Sequence, residues 1–120
     1  MSRTVMIIDD SLFIRKILCG ILAENGYTVT AEAASGIEAM KNLRTSHPDI
    51  ILLDIILPDS NGLDLLASII KTCPTSKVVI CSAIGQEQVM KKSLDLGATA
   101  FIQKPFTPEK VADVLKSLED

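Results

Sequence analysis

Residues 50–57 read Ile50-Ile51-Leu52-Leu53-Asp54-Ile55-Ile56-Leu57. Seven of these eight residues are large and aliphatic, and half of the eight are β-branched. An unbroken apolar run of this length, without the alternation of a half-exposed strand, predicts a strand buried on both faces of a helix-covered parallel sheet. A charged, unpaired carboxylate inside such a strand is strongly unfavourable. Asp54 is therefore expected to reach the end of its strand, to meet a cation, or to do chemistry. The flanking sequence points to all three.

Working outward, His47-Pro48 breaks a helix before the run, and residues 58–62 form a loop after it. Residues 4–9 are a short apolar segment ending in acid, which predicts a first buried strand. Ser11 precedes a helical stretch in which Ile14, Ile17, Leu18, Ile21 and Leu22 keep helical spacing, stopped by Asn25-Gly26. Residues 27–33 alternate weakly and predict an edge strand. A helix follows from Ser35-Gly36 to about residue 45, with Ile37, Met40 and Leu43 expected to face inward.

Beyond the loop, residues 63–71 predict a helix burying Leu66, Ile69 and Ile70. Residues 77–82 predict a strand, 86–96 a helix stopped by Gly97, and 100–103 a short strand closed by Lys104-Pro105. The last helix, about 108–118, carries Val111, Val114, Leu115 and Leu118 on one stripe, with Pro108 suited to its first turn. Five strands alternate with five helices. This predicts one α/β domain over residues 1–120, a parallel sheet with helices on both faces.

Composition narrows the function. A net charge of -3 with interspersed signs offers no basic patch for direct nucleic-acid binding. No apolar run approaches a membrane span, and the N-terminus lacks a signal-peptide pattern. Cys19, Cys73 and Cys81 have no metal-type spacing, so free thiols in a reducing cytoplasm are expected.

In this architecture ligands bind beyond the carboxyl ends of the strands. The chemically loaded residues fall there: Asp9 and Asp10 after the first strand, Asp54 in the third, Ser82 after the fourth and Lys104 after the fifth. Three carboxylates in one crevice repel unless a cation intervenes. Their ligand atoms are all oxygen, with no His or Cys, which favours a hard ion such as Mg²⁺. Lys104 could reach the carboxylates, and Lys104-Pro105 is a candidate cis peptide. Taken alone, Asp9-Asp10 could merely cap a helix, Lys104 could be a surface lysine, and Ser82 could be a turn residue. His47 reads as a helix terminator, and Arg15 as a surface or ion-pair residue.

Asp9-Asp10 after a strand, Asp54 followed by Leu57-Pro58 and Asn61-Gly62, then Ser82-Ala83 and Lys104-Pro105-Phe106: together these resemble the receiver domain of two-component response regulators. The resemblance covers about residues 3–118. It implies a doubly wound five-stranded parallel sheet of strand order 2-1-3-4-5. It further implies that Asp54 accepts a phosphoryl group from a histidine kinase, and that Asp10, Asp54 and the Ile56 carbonyl ligate Mg²⁺ with Asp9 acting through water. Lys104 would pair with Asp54 or its phosphoryl group. Ser82 would move toward that group with the loop from Ala83 to Gly85, and Phe101 would turn inward as the switch aromatic. Phe101 could instead be permanent core. Ile56 and Ile84, two positions after Asp54 and Ser82, are aliphatic and cannot orient an attacking water, so slow self-dephosphorylation is expected.

Residues 81–86 and 9–15 resemble the chemotaxis receivers of CheY type. The chain ends two residues after its last helix, and Thr99-Ala100 stands where receivers of winged-helix transcription factors usually carry an acidic pair. A free-standing, monomeric, cytoplasmic switch is thus expected, one that undergoes only its own phosphorylation and dephosphorylation. Its partner would be a protein such as a flagellar motor switch component, bound through the fourth helix, fifth strand and fifth helix, with Lys91, Lys92, Phe101 and Lys110 as contacts. Two alternatives compete: a receiver cut from a longer DNA-binding regulator, and a Mg²⁺-dependent aspartyl phosphatase of the haloacid-dehalogenase type. The latter looks for a second Asp where Ile56 stands.

Overall fold

A computed structural model describes residues 3–83 and 85–119. Ile84, expected to limit hydrolysis, lies outside the described residues. The elements alternate as β1 (Thr4–Ile8), α1 (Leu12–Glu24), β2 (Thr28–Ala33), α2 (Gly36–Leu43), β3 (Ile50–Asp54), α3 (Gly62–Thr72), β4 (Lys77–Ala83), α4 (Glu87–Leu96), β5 (Ala100–Lys104) and α5 (Pro108–Ser117). All strand pairings are parallel, and the order across the sheet is β2-β1-β3-β4-β5. The weakly alternating second strand is an edge, as its pattern predicted.

The pleat sends successive β3 residues to opposite faces. Ile51 and Leu53 join Met6, Ile8, Val78 and Ile80 in a core under α2 and α3, where Leu43, Leu66 and Ile69 meet them. Ile50 and Leu52 join Val5, Ile7 and Val79 in a second core under α1 and α5, with Leu18, Leu22, Val111 and Leu115. A strand sandwiched between two cores has no exposed face to alternate against, which is why its sequence is uniformly apolar.

Two details differ from expectation. The β3 strand stops at Asp54 instead of running to Leu57, because the Asp54 carboxylate accepts the Ile56 N–H at 3.0 Å and turns the chain. Ile56 is consequently 57% exposed. In α2 the inward positions are Gly36, Ala39 and Leu43. Ile37, expected inside, is 75% exposed, because the inward stripe runs through Gly36, Ala39 and Leu43 and Ile37 falls outside it.

Side-chain oxygens set the helix starts. Ser11 accepts from the Ile14 N–H, Ser35 from Glu38, Asn61 from Leu63 and Asp64, and Thr107 from Lys110. Gly97, at φ +120°, ends α4 in a conformation disfavoured for side-chain-bearing residues. No helix among the described residues is long and apolar enough to cross a membrane.

Candidate functional site

Strand order dictates what meets at the carboxyl end of the sheet. The β1 and β3 strands are neighbours, so Asp9 and Asp10 emerge beside Asp54. The β4 strand lies between β3 and β5, so the long stem of Lys104 must cross the end of β4 to reach the carboxylates. It does so: Lys104 Nζ stands 2.8 Å from Asp9 Oδ2 and 3.4 Å from Asp54 Oδ2. One carboxylate oxygen from each of Asp9, Asp10 and Asp54 lies within 4.8 Å of the others.

Each acid is held differently. Asp9 is buried, and its Oδ1 accepts the Ser11 N–H at 2.9 Å. Asp54 is buried too, with Oδ1 bonded to the Ile56 N–H. Asp10 is exposed, and among the described residues its carboxylate has no hydrogen-bond or ion-pair partner. Burial pushes the Asp54 carboxyl above the ordinary range. The Ile56 N–H and the Lys104 charge offset this in part, and the Asp9 charge adds to it. Burial opposes the Lys104 ammonium, but the Asp9 hydrogen bond and the charges of Asp54 and Asp9 outweigh it, so its pKa is raised. Buried Cys81, paired with Asp54 in strand register, has its thiol pushed up to about 12 by burial and stays a neutral wall.

Three carboxylates beside one ammonium leave a local excess of negative charge. The donors are hard oxygens only, and one of them is unpartnered and solvent-facing. Such a set fits a divalent cation of the Mg²⁺ type, which takes few carboxylates and retains waters.

Ser82 supplies a second sign of something still to be bound. It is 1% exposed, and its Oγ is the one buried side-chain polar atom among the described residues without a hydrogen-bond partner. Such an orphan costs about 1–3 kcal/mol unless a ligand satisfies it. The Ala83 N–H beside it donates to the Gln86 side chain at 2.8 Å. The Lys104-Pro105 peptide is cis. Phe101 is 43% exposed, in an outward arrangement and outside both cores. Lys91, Lys92 and Lys110 are also exposed.

The sequence reading missed three contributors. Asp59 accepts the Gly36 and Ile37 N–H groups at 3.0 and 3.1 Å, latching the loop after Asp54 onto the start of α2. These two bonds hold its carboxyl below the usual carboxylate range. Gln86 occupies the Ala83 N–H. Arg15, read as a surface or ion-pair residue, pairs with Glu32 and also reaches the Asp9 carbonyl. An Asp directly after Pro58 in a loop was a legible signal for the first; the other two depend on tertiary neighbours.

The arrangement can accept an electrophile at Asp54, with positive charge and a hydroxyl donor around it. Known proteins resemble the chain over nearly its whole length. A family model described as the response regulator receiver domain matches residues 5–116. The chain is 38% identical over 118 residues to the chemotaxis protein CheY of Thermotoga maritima, covering 98% of each. It is 32% identical over 117 residues to the transcriptional regulatory protein PdtaR of Mycobacterium tuberculosis, covering 98% of this chain and 55% of that protein. The crystal structure of NtrX from Brucella abortus matches with a TM-score of 0.91 at 29% identity, over 98% of this chain and 26% of NtrX. This chain thus spans about a quarter of that longer protein. The chain belongs to the response regulator receiver domain family, whose members are signalling proteins.

Proposed function

We propose that the protein is a phosphorylation-dependent switch in which Asp54 takes a phosphoryl group from the phosphohistidine of a histidine kinase. An Asp54 carboxylate oxygen attacks phosphorus in line. The bond from phosphorus to the imidazole nitrogen breaks, and its electron pair stays on that nitrogen. Such transfers need positioning and charge more than covalent help. Asp10, Asp54 and the Ile56 carbonyl would hold Mg²⁺, with Asp9 acting through water; the ion, when bound, neutralises charge on the phosphoryl oxygens. Lys104 supplies further positive charge from its position between Asp9 and Asp54. The buried Ser82 hydroxyl donates to a phosphoryl oxygen, moving the loop from Ala83 to Gly85, and Phe101 turns inward.

The single observation that carries this reading is the convergence on one crevice of three carboxylates, the Lys104 ammonium and the unpartnered Ser82 hydroxyl. The test is incubation with Mg²⁺ and a small acyl phosphate, followed by mass mapping of an acid-stable, base-labile adduct. The reading requires that adduct on Asp54 and its absence in Asp54→Asn.

The partner is a protein bound through α4, β5 and α5, with Lys91, Lys92, Phe101 and Lys110 as contacts. We place the switch in chemotaxis, as a cytoplasmic monomer acting on a target such as a flagellar motor switch component. What supports this is the likeness to a CheY protein of matching length. A pull-down comparing phosphorylated and unmodified protein tests it.

A second reading, a receiver within a longer DNA-binding regulator, draws on the partial coverage of PdtaR and NtrX. The length of the open reading frame that encodes the chain separates the two.

A further inference from the structure

Asp10 is the one acid of the crevice with nothing holding its side chain among the described residues. Its aim therefore depends on its backbone, and Asp9, the residue just before it, is tied at both of its backbone polar groups. The Asp9 N–H donates to the Ala33 carbonyl of β2 at 3.0 Å. The Asp9 carbonyl, which belongs to the peptide leading into Asp10, accepts Arg15 Nη1 at 2.6 Å. Arg15 Nε in turn pairs with Glu32 Oε1 on β2 at 3.0 Å. The other Glu32 oxygen accepts the Cys19 thiol at 3.6 Å.

Both polar groups of the Asp9 backbone are thus tied to the edge strand, one directly and one through a guanidinium. The Arg15 side chain is 14% exposed and Glu32 39%, so the bridge is shielded at its inner end. A guanidinium can serve both acceptors at once because its N–H groups form a rigid fork; an ammonium cannot copy that geometry.

We infer that Arg15 is a positioning residue for the divalent cation: by clamping the Asp9–Asp10 peptide to Glu32 it aims the otherwise unheld Asp10 carboxylate at the crevice. This rests on the metal reading proposed above. Groups that orient metal ligands from behind typically affect affinity by about 10–100-fold. The Glu32 end of the ion pair stays in solvent, so the pair by itself contributes little to stability.

The test is calorimetric Mg²⁺ binding to wild type, Arg15→Met, Arg15→Lys and Glu32→Ala, with melting of each metal-free protein. Arg15→Met keeps the apolar stem and loses the fork. Its affinity is expected to fall about 10-fold or more, with Arg15→Lys between it and wild type, while the metal-free melting temperature stays within a few degrees of wild type. Equal Mg²⁺ affinity in wild type and Arg15→Met overturns the inference and leaves the metal reading standing. So does a drop in melting temperature without a change in affinity. No binding by wild type overturns the metal reading itself. If Arg15→Met does not fold, Glu32→Ala decides: it retains Arg15 but frees it from β2, and wild-type affinity there overturns the clamp.

Discussion

Lys104 makes its shorter ion pair with Asp9, at 2.8 Å, and its longer one with Asp54, at 3.4 Å. The resting lysine is therefore anchored on the acid that is proposed to stay unmodified, and it stands within reach of the acid that is proposed to react. Among the described residues, its ammonium is the one cation paired with Asp9 and Asp54.

Removing it should destabilise the metal-free protein. Lys104→Ala leaves two buried carboxylates without their cation, a cost of about 2 kcal/mol, between that of an exposed and a fully buried broken pair. For a chain of 120 residues that lowers the melting temperature by roughly 8 °C. Saturating Mg²⁺ should recover much of the loss. A variant that melts with wild type in the absence of metal would refute the pairing.

The raised Asp54 pKa has a definite sign. A carboxyl whose pKa is higher folded than unfolded binds its proton more tightly in the folded chain. Its contribution to stability is complete below the unfolded value and is lost as pH rises through the folded one. At neutral pH, charged Asp54 is thus a net cost to the ion-free protein. Asp54→Asn keeps an oxygen for the Ile56 N–H and removes that charge, so the metal-free variant should melt above wild type at pH 7. The gap should close below about pH 4, where both states of Asp54 are protonated. Equal melting at pH 7 argues against the burial penalty.

Tyr27 offers an independent pH probe, since the chain has one Tyr and no Trp. Its hydroxyl donates to Glu119 at 3.0 Å, and burial followed by that carboxylate pushes its pKa up to about 12. The neutral phenol therefore adds stability that is intact below about pH 10 and is lost as pH approaches 12. Absorbance titration should find the folded midpoint near 12, and Glu119→Gln should lower it. A folded protein titrating at the free-tyrosine value would disprove the contact.

Ile56 stands exposed beside the proposed phosphoryl position with no group that can orient water. Loss of the phosphoryl group should accordingly be slow. Ile56→Asn introduces a polar side chain there and should shorten the lifetime by about tenfold or more, a modest share of what positioned proton-transfer groups contribute. Radiolabel decay in Mg²⁺ gives the measurement, and an unchanged or longer lifetime counts against the proposal.

Much of this molecule was legible in its order of residues. The apolar runs, the helix openings at Ser11 and Ser35 and the glycine and proline stops located all ten elements, because backbone preferences and burial act locally. The alternation of strands and helices led to the sheet, and the position of Asp9, Asp10, Asp54, Ser82 and Lys104 at strand ends led to the crevice. Errors arose where the pattern carries no phase. An eight-residue aliphatic run cannot reveal its own end, so β3 was drawn through Leu57 when the Asp54–Ile56 hydrogen bond stops it at Asp54. Ile37 was placed inward because apolar spacing in a two-turn helix fits more than one rotation.

Asp54 shows the division most plainly. The sequence by itself determined that a carboxylate sits in a buried strand and needs a partner, since an unpaired charge there is unfavourable whatever the fold. Only the tertiary structure decided which partners it meets. Lys104 crosses from β5, the Asp9 charge bears on it from β1, and the Ser82 hydroxyl is buried with no hydrogen-bond partner among the described residues. Arg15, unremarkable in the chain, gains a role because Asp9 and Glu32 lie on either side of it in space. Distances between residues far apart in sequence are set by sheet order and packing, and no local pattern encodes them.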